Sequence, residues 1–292
     1  MRKLTLMTLL FPLLVGLSSC GNQTLEDGVF TIGFEAGYAP FNWTTEKSTD
    51  GAIPIAGTGF LGLGQAYAYG YDVMVASHIA TELDYTLQAR KISWDGLIPA
   101  LTSGHIDAII AGMTDTAARR ESVAFSVPYY ESELVILVRS DSPYADATTI
   151  DDFTGARLAA QVGTVQNDII VDYATDDGEG DLYVDGLIAA TPYETYPDAL
   201  LGLLEPNSGL DGVLAERPIA VDMIEQYSSQ LSLVEFWVDE DTYDENFLIT
   251  VSVALRKEDT SLLAQINDVL NNLDEATRLA WMNEAILASN GN

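Results

Sequence analysis

Apolar and polar positions along this chain fall into a strand rhythm and a helix rhythm that alternate, break off and start again. Val29-Phe30-Thr31-Ile32-Gly33 is a short apolar run of the length expected for a buried strand. Over 71–83, Val73, Ala76, Ile79, Ala80 and Leu83 fall on one helical face. A strand at 86–90, a helix at 95–102 and a strand at 106–111 follow. Strands alternating with helices predict a largely parallel sheet covered on both sides.

After the apolar run 134–139 the alternation restarts, with strands at 157–161, 187–190 and 210–215 and helices at 165–173 and 196–204. This reads as a second lobe of the same kind. The run 247–255 is long enough to cross back to the first lobe, where Leu262, Ile266, Val269, Leu270 and Leu273 form the apolar stripe of a returning helix. The pattern predicts an α/β chain of two lobes joined by two crossover strands, with hinges near 139–142 and 252–255. Residues 44–70, rich in Gly, Thr, Ala and Ser, interrupt it and read as a loop excursion near the mouth of the first lobe.

The first residues follow a different rule. Arg2 and Lys3 precede an apolar stretch at 4–17 that is shorter than the roughly 20 residues of a membrane span. Leu17-Ser18-Ser19-Cys20 comes at once, and with Gly21-Asn22-Gln23 it resembles a bacterial lipobox. The expectation is a cleaved lipoprotein signal peptide over 1–19, a lipidated Cys20 and a linker over 20–27. The first lobe would then take 28–138 with 252–292, and the second 139–251. Cys20 is the single cysteine, so the mature chain has no internal disulfide, thiol nucleophile or cysteine metal site.

Charge narrows the partners. Forty-four acidic against 13 basic residues give −31, and loss of Arg2 and Lys3 with the leader takes this to −33. Such a surface excludes nucleic acid and disfavours contact with anionic headgroups, which leaves the acyl chain to hold the protein to a membrane.

Several segments carry a more specific signal. Residues 94–113 read Trp94-Asp95-Gly96-Leu97-Ile98-Pro99-Ala100-Leu101 and then, past Asp107, Gly112-Met113. They continue through Thr114-Asp115-Thr116 and Arg119 to Phe125-Ser126, with Tyr129 and Tyr130 beyond. Tyr38-Ala39-Pro40-Phe41, Gly70-Tyr71-Asp72-Val73, Gln161-Val162-Gly163-Thr164 and Leu210-Asp211-Gly212-Val213-Leu214-Ala215-Glu216-Arg217-Pro218 keep the same order and spacing. Together they resemble the polar-amino-acid family of bacterial solute-binding proteins, extracellular solute-binding protein family 3, over nearly the whole mature chain. The chain departs from that pattern in a longer first-lobe excursion, in Glu35 where an aspartate is common, and in Asp115 where an apolar residue is usual.

The resemblance implies a type II periplasmic-binding-protein-like fold with a free amino acid held in the interlobe cleft. Arg119, behind an N-cap at Thr116, would grip the ligand carboxylate bidentately. From the other lobe Gly163, Thr164 and Val165, between a strand and a helix, would offer backbone N–H groups to the same carboxylate. Glu216 would accept from the ammonium, helped by Thr114 and the Gly112 carbonyl. Tyr38, Phe41 and Trp94 would line the side-chain pocket with Glu35 at its far end, which favours lysine, arginine or histidine.

The implied function is the extracytoplasmic amino-acid-binding component of an ATP-driven (ABC) importer, closing its lobes on the ligand. Its partners would be the membrane permease and ATPase, and the chain is expected to be monomeric and without a cofactor. No nucleotide, metal or calcium motif stands in the sequence, and His78 and His105 form no recognisable catalytic arrangement. A dehydratase on the same fold and a ligand-sensing lipoprotein remain the alternative readings, because fold alone does not settle function.

Overall fold

The computed structural model describes residues 25, 28–46, 48, 51–59, 64–176, 183–236 and 247–290. The leader and Cys20 lie outside them. In chain order β1 (Val29–Phe34), β2 (Gly37–Tyr38), β3 (Asn42–Thr45), β4 (Ile53–Pro54) and β5 (Tyr67–Tyr69) precede α1 (Tyr71–Glu82) and β6 (Thr86–Lys91). A 3-10 turn at Trp94–Gly96 leads into α2 (Leu97–Thr102), followed by β7 (Ala108–Ile109), α3 (Ala117–Arg120) and the long β8 (Ala124–Arg139). Beyond it lie β9 (Arg157–Ala159), α4 (Val165–Ala174), β10 (Ile188–Ala189), α5 (Tyr196–Leu204), β11 (Gly212–Glu216), α6 (Arg217–Gln226) and β12 (Leu231–Val234). The chain returns through β13 (Leu248–Leu255) to α7 (Thr260–Asn272) and α8 (Glu275–Ser289).

The strands join in the order β10-β9-β11-β8-β13-β7-β1-β6, with β12 added on β8. β1 lies between β6 and β7, parallel to both. Its Phe30, Ile32 and Phe34 are fully buried, as a strand covered on both faces requires. The helical face expected on α1 is buried at Val73, Ala76, Ile79 and Ala80, while Leu83 follows the last turn and packs on the core's margin. In the second lobe β9 runs parallel to β10 and β11. The result is two α/β lobes.

β8 and β13 join the lobes as an antiparallel pair. Leu134–Val138 of β8 already pairs with β11, and its end pairs with β12. The other half of β13 pairs with β7 and with residues 124–130. Among the described residues only Glu131–Glu133 and Leu248–Thr250 pair with each other alone. The hinges expected at 139–142 and 252–255 therefore fall on backbone already fastened inside a lobe. Arg139 is held there by Nη1 donating to the carbonyls of Leu203 (3.0 Å) and Leu210 (2.6 Å). Periodicity reports a continuous strand but not where along it the partners change.

The excursion at 44–70 is also corrected. Its described part is not all loop: three short stretches, ending β3 and forming β4 and β5, join β2 in a small antiparallel sheet, β2-β3-β5-β4, tied to the main sheet where Ile55 bridges Ala89. Strands of two to four residues are too short to leave a periodic trace. α8, which buries only Met282 and Ala285, left no apolar stripe to read either. No helix among the described residues is long and apolar enough to cross a membrane.

Candidate functional site

A cleft enclosing about 350 Å³, its mouth included, opens between the lobes and is lined by Glu35, Tyr38, Trp94, Ala111, Gly112, Thr114, Arg119, Gln161, Thr164, Val165, Gln166 and Glu216. Its walls follow from the topology. Glu35 and Tyr38 leave the C-terminal end of β1, Trp94 that of β6, and Gly112 and Thr114 that of β7; Gln161 to Gln166 leave β9, and Glu216 ends β11. Loops at the carboxyl ends of parallel strands are where open α/β sheets form binding crevices.

Arg119 sits at the third position of the short α3, where the Thr116 side chain accepts from its backbone N–H at 3.2 Å. Its guanidinium donates to the Thr114 carbonyl at 2.6 Å and across the cleft to the Gly163 carbonyl at 3.1 Å, and lies 5.3 Å over the Trp94 ring. Trp94 Nε1 donates to the same Gly163 carbonyl at 3.0 Å. Burial lowers the arginine's pKa while Asp168 and Asp115 oppose that shift. An arginine remains a cation throughout.

Opposite it, Arg217-Pro218 starts α6 directly after β11, Pro218 being suited to a first helical turn. This leaves Glu216 at the strand end with 2% of its surface exposed. Desolvation pushes its carboxyl up to about 8, and the Tyr38 hydroxyl reaches across the cleft to donate to it. Glu35 bridges the lobes at the other end, accepting from Gln161 Nε2 at 3.1 and 3.0 Å. Burial raises its pKa, and Gln161 and Lys91 work against that rise.

The arrangement thus sets a cation, Arg119, and a buried carboxylate, Glu216, against one small space, with a second carboxylate and two aromatic rings beside them. The N-terminal turn of α4 faces the same space, with Thr164 as its cap accepting from Asn167 N–H at 3.3 Å. A helix N-terminus adds partial positive charge next to Arg119.

Most residues singled out in the sequence meet here, with two differences. Phe41 is fully buried and not on the cleft surface. It stacks behind Tyr38, with centroids 5.7 Å apart, and meets Tyr71 and Tyr130 edge-on. An aromatic one turn beyond Tyr38 looks the same in sequence whether it lines a pocket or backs it. Gly163 turns its carbonyl, not its N–H, to Arg119 and Trp94. Asp115 has Arg120 as its ion-pair partner and is not part of the cleft lining.

Gln161 and Gln166 are buried contributors that sequence reasoning passed over. Gln161 opens the Gln161-Val162-Gly163-Thr164 segment, but an uncharged amide carries no local mark of a role. His78 packs against Trp281 and His105 bonds Ser103, both away from the cleft lining. Among the described residues no His/Cys/Asp/Glu cluster is arranged to hold a metal ion.

The chain is similar to known proteins in sequence and in fold. The family described as bacterial extracellular solute-binding proteins, family 3, matches residues 61–286. A putative ABC transporter arginine-binding protein 2 of Escherichia coli (strain K12) is 26% identical over 201 residues, covering 69% of this chain and 74% of that protein. The arginine-bound Gly-to-Ala mutant of ArgBP from T. maritima superposes with a TM-score of 0.64 at 28% identity, covering 85% of this chain and 97% of that one. The ancestral amino-acid-binding protein AncCDT-1, a precursor of cyclohexadienyl dehydratase, shares the fold with a TM-score of 0.66 at 23% identity over 89% of this chain and 96% of that one.

Proposed function

We propose that this chain, which belongs to the bacterial extracellular solute-binding proteins of family 3, captures a free cationic L-amino acid outside the cytoplasm and delivers it to an ABC importer. The observation that carries the reading is the opposition of Arg119 and Glu216 across one cleft, one from each lobe. An amino acid presents a carboxylate and an ammonium two bonds apart on either side of its α-carbon. A cleft with a guanidinium on one wall and a buried carboxylate on the other can meet both at once. Arg119, with the α4 N-terminus, takes the carboxylate. Glu216 takes the ammonium, and an ammonium within reach favours its ionised form over the neutral one that burial prefers.

Glu35, Trp94 and Tyr38 give the side-chain end of the cleft an anion and flat aromatic faces, which suit a guanidinium, ammonium or imidazolium. The arginine-binding relatives support that preference. Binding energy shared by both walls favours the closed lobes over the open ones. We place the bending at Glu131–Glu133 and Leu248–Thr250, the stretch of the connecting ribbon that neither lobe's sheet holds. Cys20 anchors the mature chain to the membrane, and the permease and ATPase of the importer are its partners.

The test is a thermal-shift series of the soluble form starting at Gly21 against the twenty amino acids. Arginine, lysine or histidine is expected to raise the melting temperature, because a ligand bound only by the folded state stabilises it. Arg119→Ala is expected to abolish the shift. No shift with any amino acid overturns the reading, and disappearance of the added compound would assign the cleft to an enzyme such as a dehydratase.

A further inference from the structure

Asp72 lies outside the cleft lining and is fully buried at the start of α1. Its side chain nevertheless stands in the middle of a hydrogen-bonded run joining two of the cleft's walls. On one side Asn42 Nδ2 donates to Asp72 at 2.7 Å, and Asn42 Oδ1 accepts from the Ala36 N–H at 2.8 Å. On the other, the Tyr129 hydroxyl donates to Asp72 at 2.6 Å and accepts from the Gly112 N–H at 3.1 Å. Ala36 lies between Glu35 and Tyr38. Gly112 opens the turn that leads to Thr114 and Arg119.

The direction of each bond explains why position 72 carries a carboxylate. Asn42 must turn its oxygen to the Ala36 N–H, so its NH₂ faces Asp72. Tyr129 must keep its oxygen for the Gly112 N–H, so its hydrogen faces Asp72. Both neighbours present donors, and a group that only accepts can satisfy both. The two walls also touch. Gly112 has φ +63, and a Cβ there would lie 3.2 Å from the Tyr38 ring. The turn is therefore restricted to glycine both by its backbone and by the ring packed on it.

We propose that Asp72 is a positioning residue for ligand recognition, its carboxylate holding the Glu35–Tyr38 segment and the Gly112–Thr114 turn at one fixed spacing through Asn42 and Tyr129. This rests on the reading of the cleft as an amino-acid site. Asp72 touches no ligand. It ties together two segments beyond the last paired residues of the neighbouring strands β1 and β7, and much of what a ligand gains from a site depends on such preorganisation.

The experiment compares wild type with Asp72→Asn, Tyr129→Phe and the double exchange Asn42→Asp/Asp72→Asn. It uses calorimetry with L-arginine as probe, unfolding curves, and the amide resonances of Ala36 and Gly112. Asp72→Asn sets a donor against a donor, and Tyr129→Phe removes one hydroxyl while keeping the ring. Each is expected to raise Kd about 10- to 100-fold on the folded protein, the usual cost of losing hydrogen bonds to a charged group. The double exchange restores every bond with the charge moved to position 42, and is expected to recover most of the affinity.

A role in stability alone would lower the melting temperature in the single variants and leave Kd on the folded protein unchanged. That result, or a double exchange no better than Asp72→Asn, overturns the proposal. If wild type binds no amino acid, the functional reading fails separately. The proposal is then judged by the amide resonances of Ala36 and Gly112, which must both move in Asp72→Asn; two unmoved resonances overturn it.

Discussion

Glu35, Tyr38, Trp94 and Arg119 reach the cleft from a loop and from very short elements of the first lobe, whereas Gln161, Thr164, Gln166 and Glu216 reach it from strand ends and the first turn of a longer helix in the second. The two walls solve one problem with different materials. In the second lobe the chain geometry positions the groups, because Glu216 is fixed by its ladder partner Leu134 and by the start of α6, and Thr164 by its cap on α4. In the first lobe the elements are shorter, with Tyr38 in the two-residue β2, Trp94 in a 3-10 turn and Arg119 on the one-turn α3, and buried polar side chains add to their hold through the run from Ala36 to Gly112. A wall made of the ends of longer elements tolerates change in its surroundings; a wall made of short ones depends on its braces.

The contrast sharpens most at Glu216, where burial has raised the carboxyl to about 8. An ammonium selects the ionised form, so affinity for a cationic amino acid is expected to rise about tenfold per pH unit from pH 6 to pH 8 and to level off above. Stability of the ligand-free protein runs the opposite way. The folded state holds this proton more tightly than the unfolded chain, whose value lies near 4.5. The contribution is fully present below that value and is lost as pH rises to about 8. Glu216→Gln is expected to flatten both profiles and to weaken binding about 100-fold at pH 8. Calorimetry and denaturant unfolding across this range check the two signs.

A smaller effect is expected on the first-lobe wall. Glu35→Gln keeps the shape and the Gln161 contact possible but removes the charge at the far end of the pocket. Affinity for arginine or lysine is expected to fall about tenfold, with little change for a neutral amino acid of similar length, as competition binding would show. Equal loss for both kinds of ligand would move Glu35 from selectivity to general packing.

The smallest effect is expected outside the cleft. Arg217 pairs with Glu235 at 2.7 Å and with Glu133 at 3.6 Å near the connecting ribbon, and all three are substantially exposed. Exposed ion pairs contribute about 0–1 kcal/mol. Arg217→Ala is expected to change stability and ligand affinity little. A large loss of affinity there would show that the ribbon's ion pairs, rather than the two walls, control closure.

How far the chain could be read without its structure differs by residue type. The place of Arg119 in the cleft lining is legible because charge, motif and the Thr116 cap coincide at one place, and that of Glu216 because it precedes Arg217-Pro218 at the end of an apolar run. Phe41 was misplaced by one layer, since an apolar ring carries no information about which of its faces meets a ligand. Asp72, within Gly70-Tyr71-Asp72-Val73, reads in the sequence only as part of a helix start. Its role depends on Asn42 and Tyr129, which are 30 and 57 residues away.

Local order therefore belongs to the amino-acid sequence of this protein: the alternation of strands and helices, the repeat of that pattern in a second lobe, the acidic surface and the identity of the charged groups. These depend on residues a few positions apart, where periodicity and capping act. Tertiary structure alone decided which half of β8 pairs with which strands, that parts of the excursion at 44–70 pair into a sheet, that Phe41 backs Tyr38, and that the buried Asp72 carboxylate accepts from both Asn42 and Tyr129. Each of those depends on hydrogen bonds and contacts between distant segments, and these exist only once the chain has closed on itself.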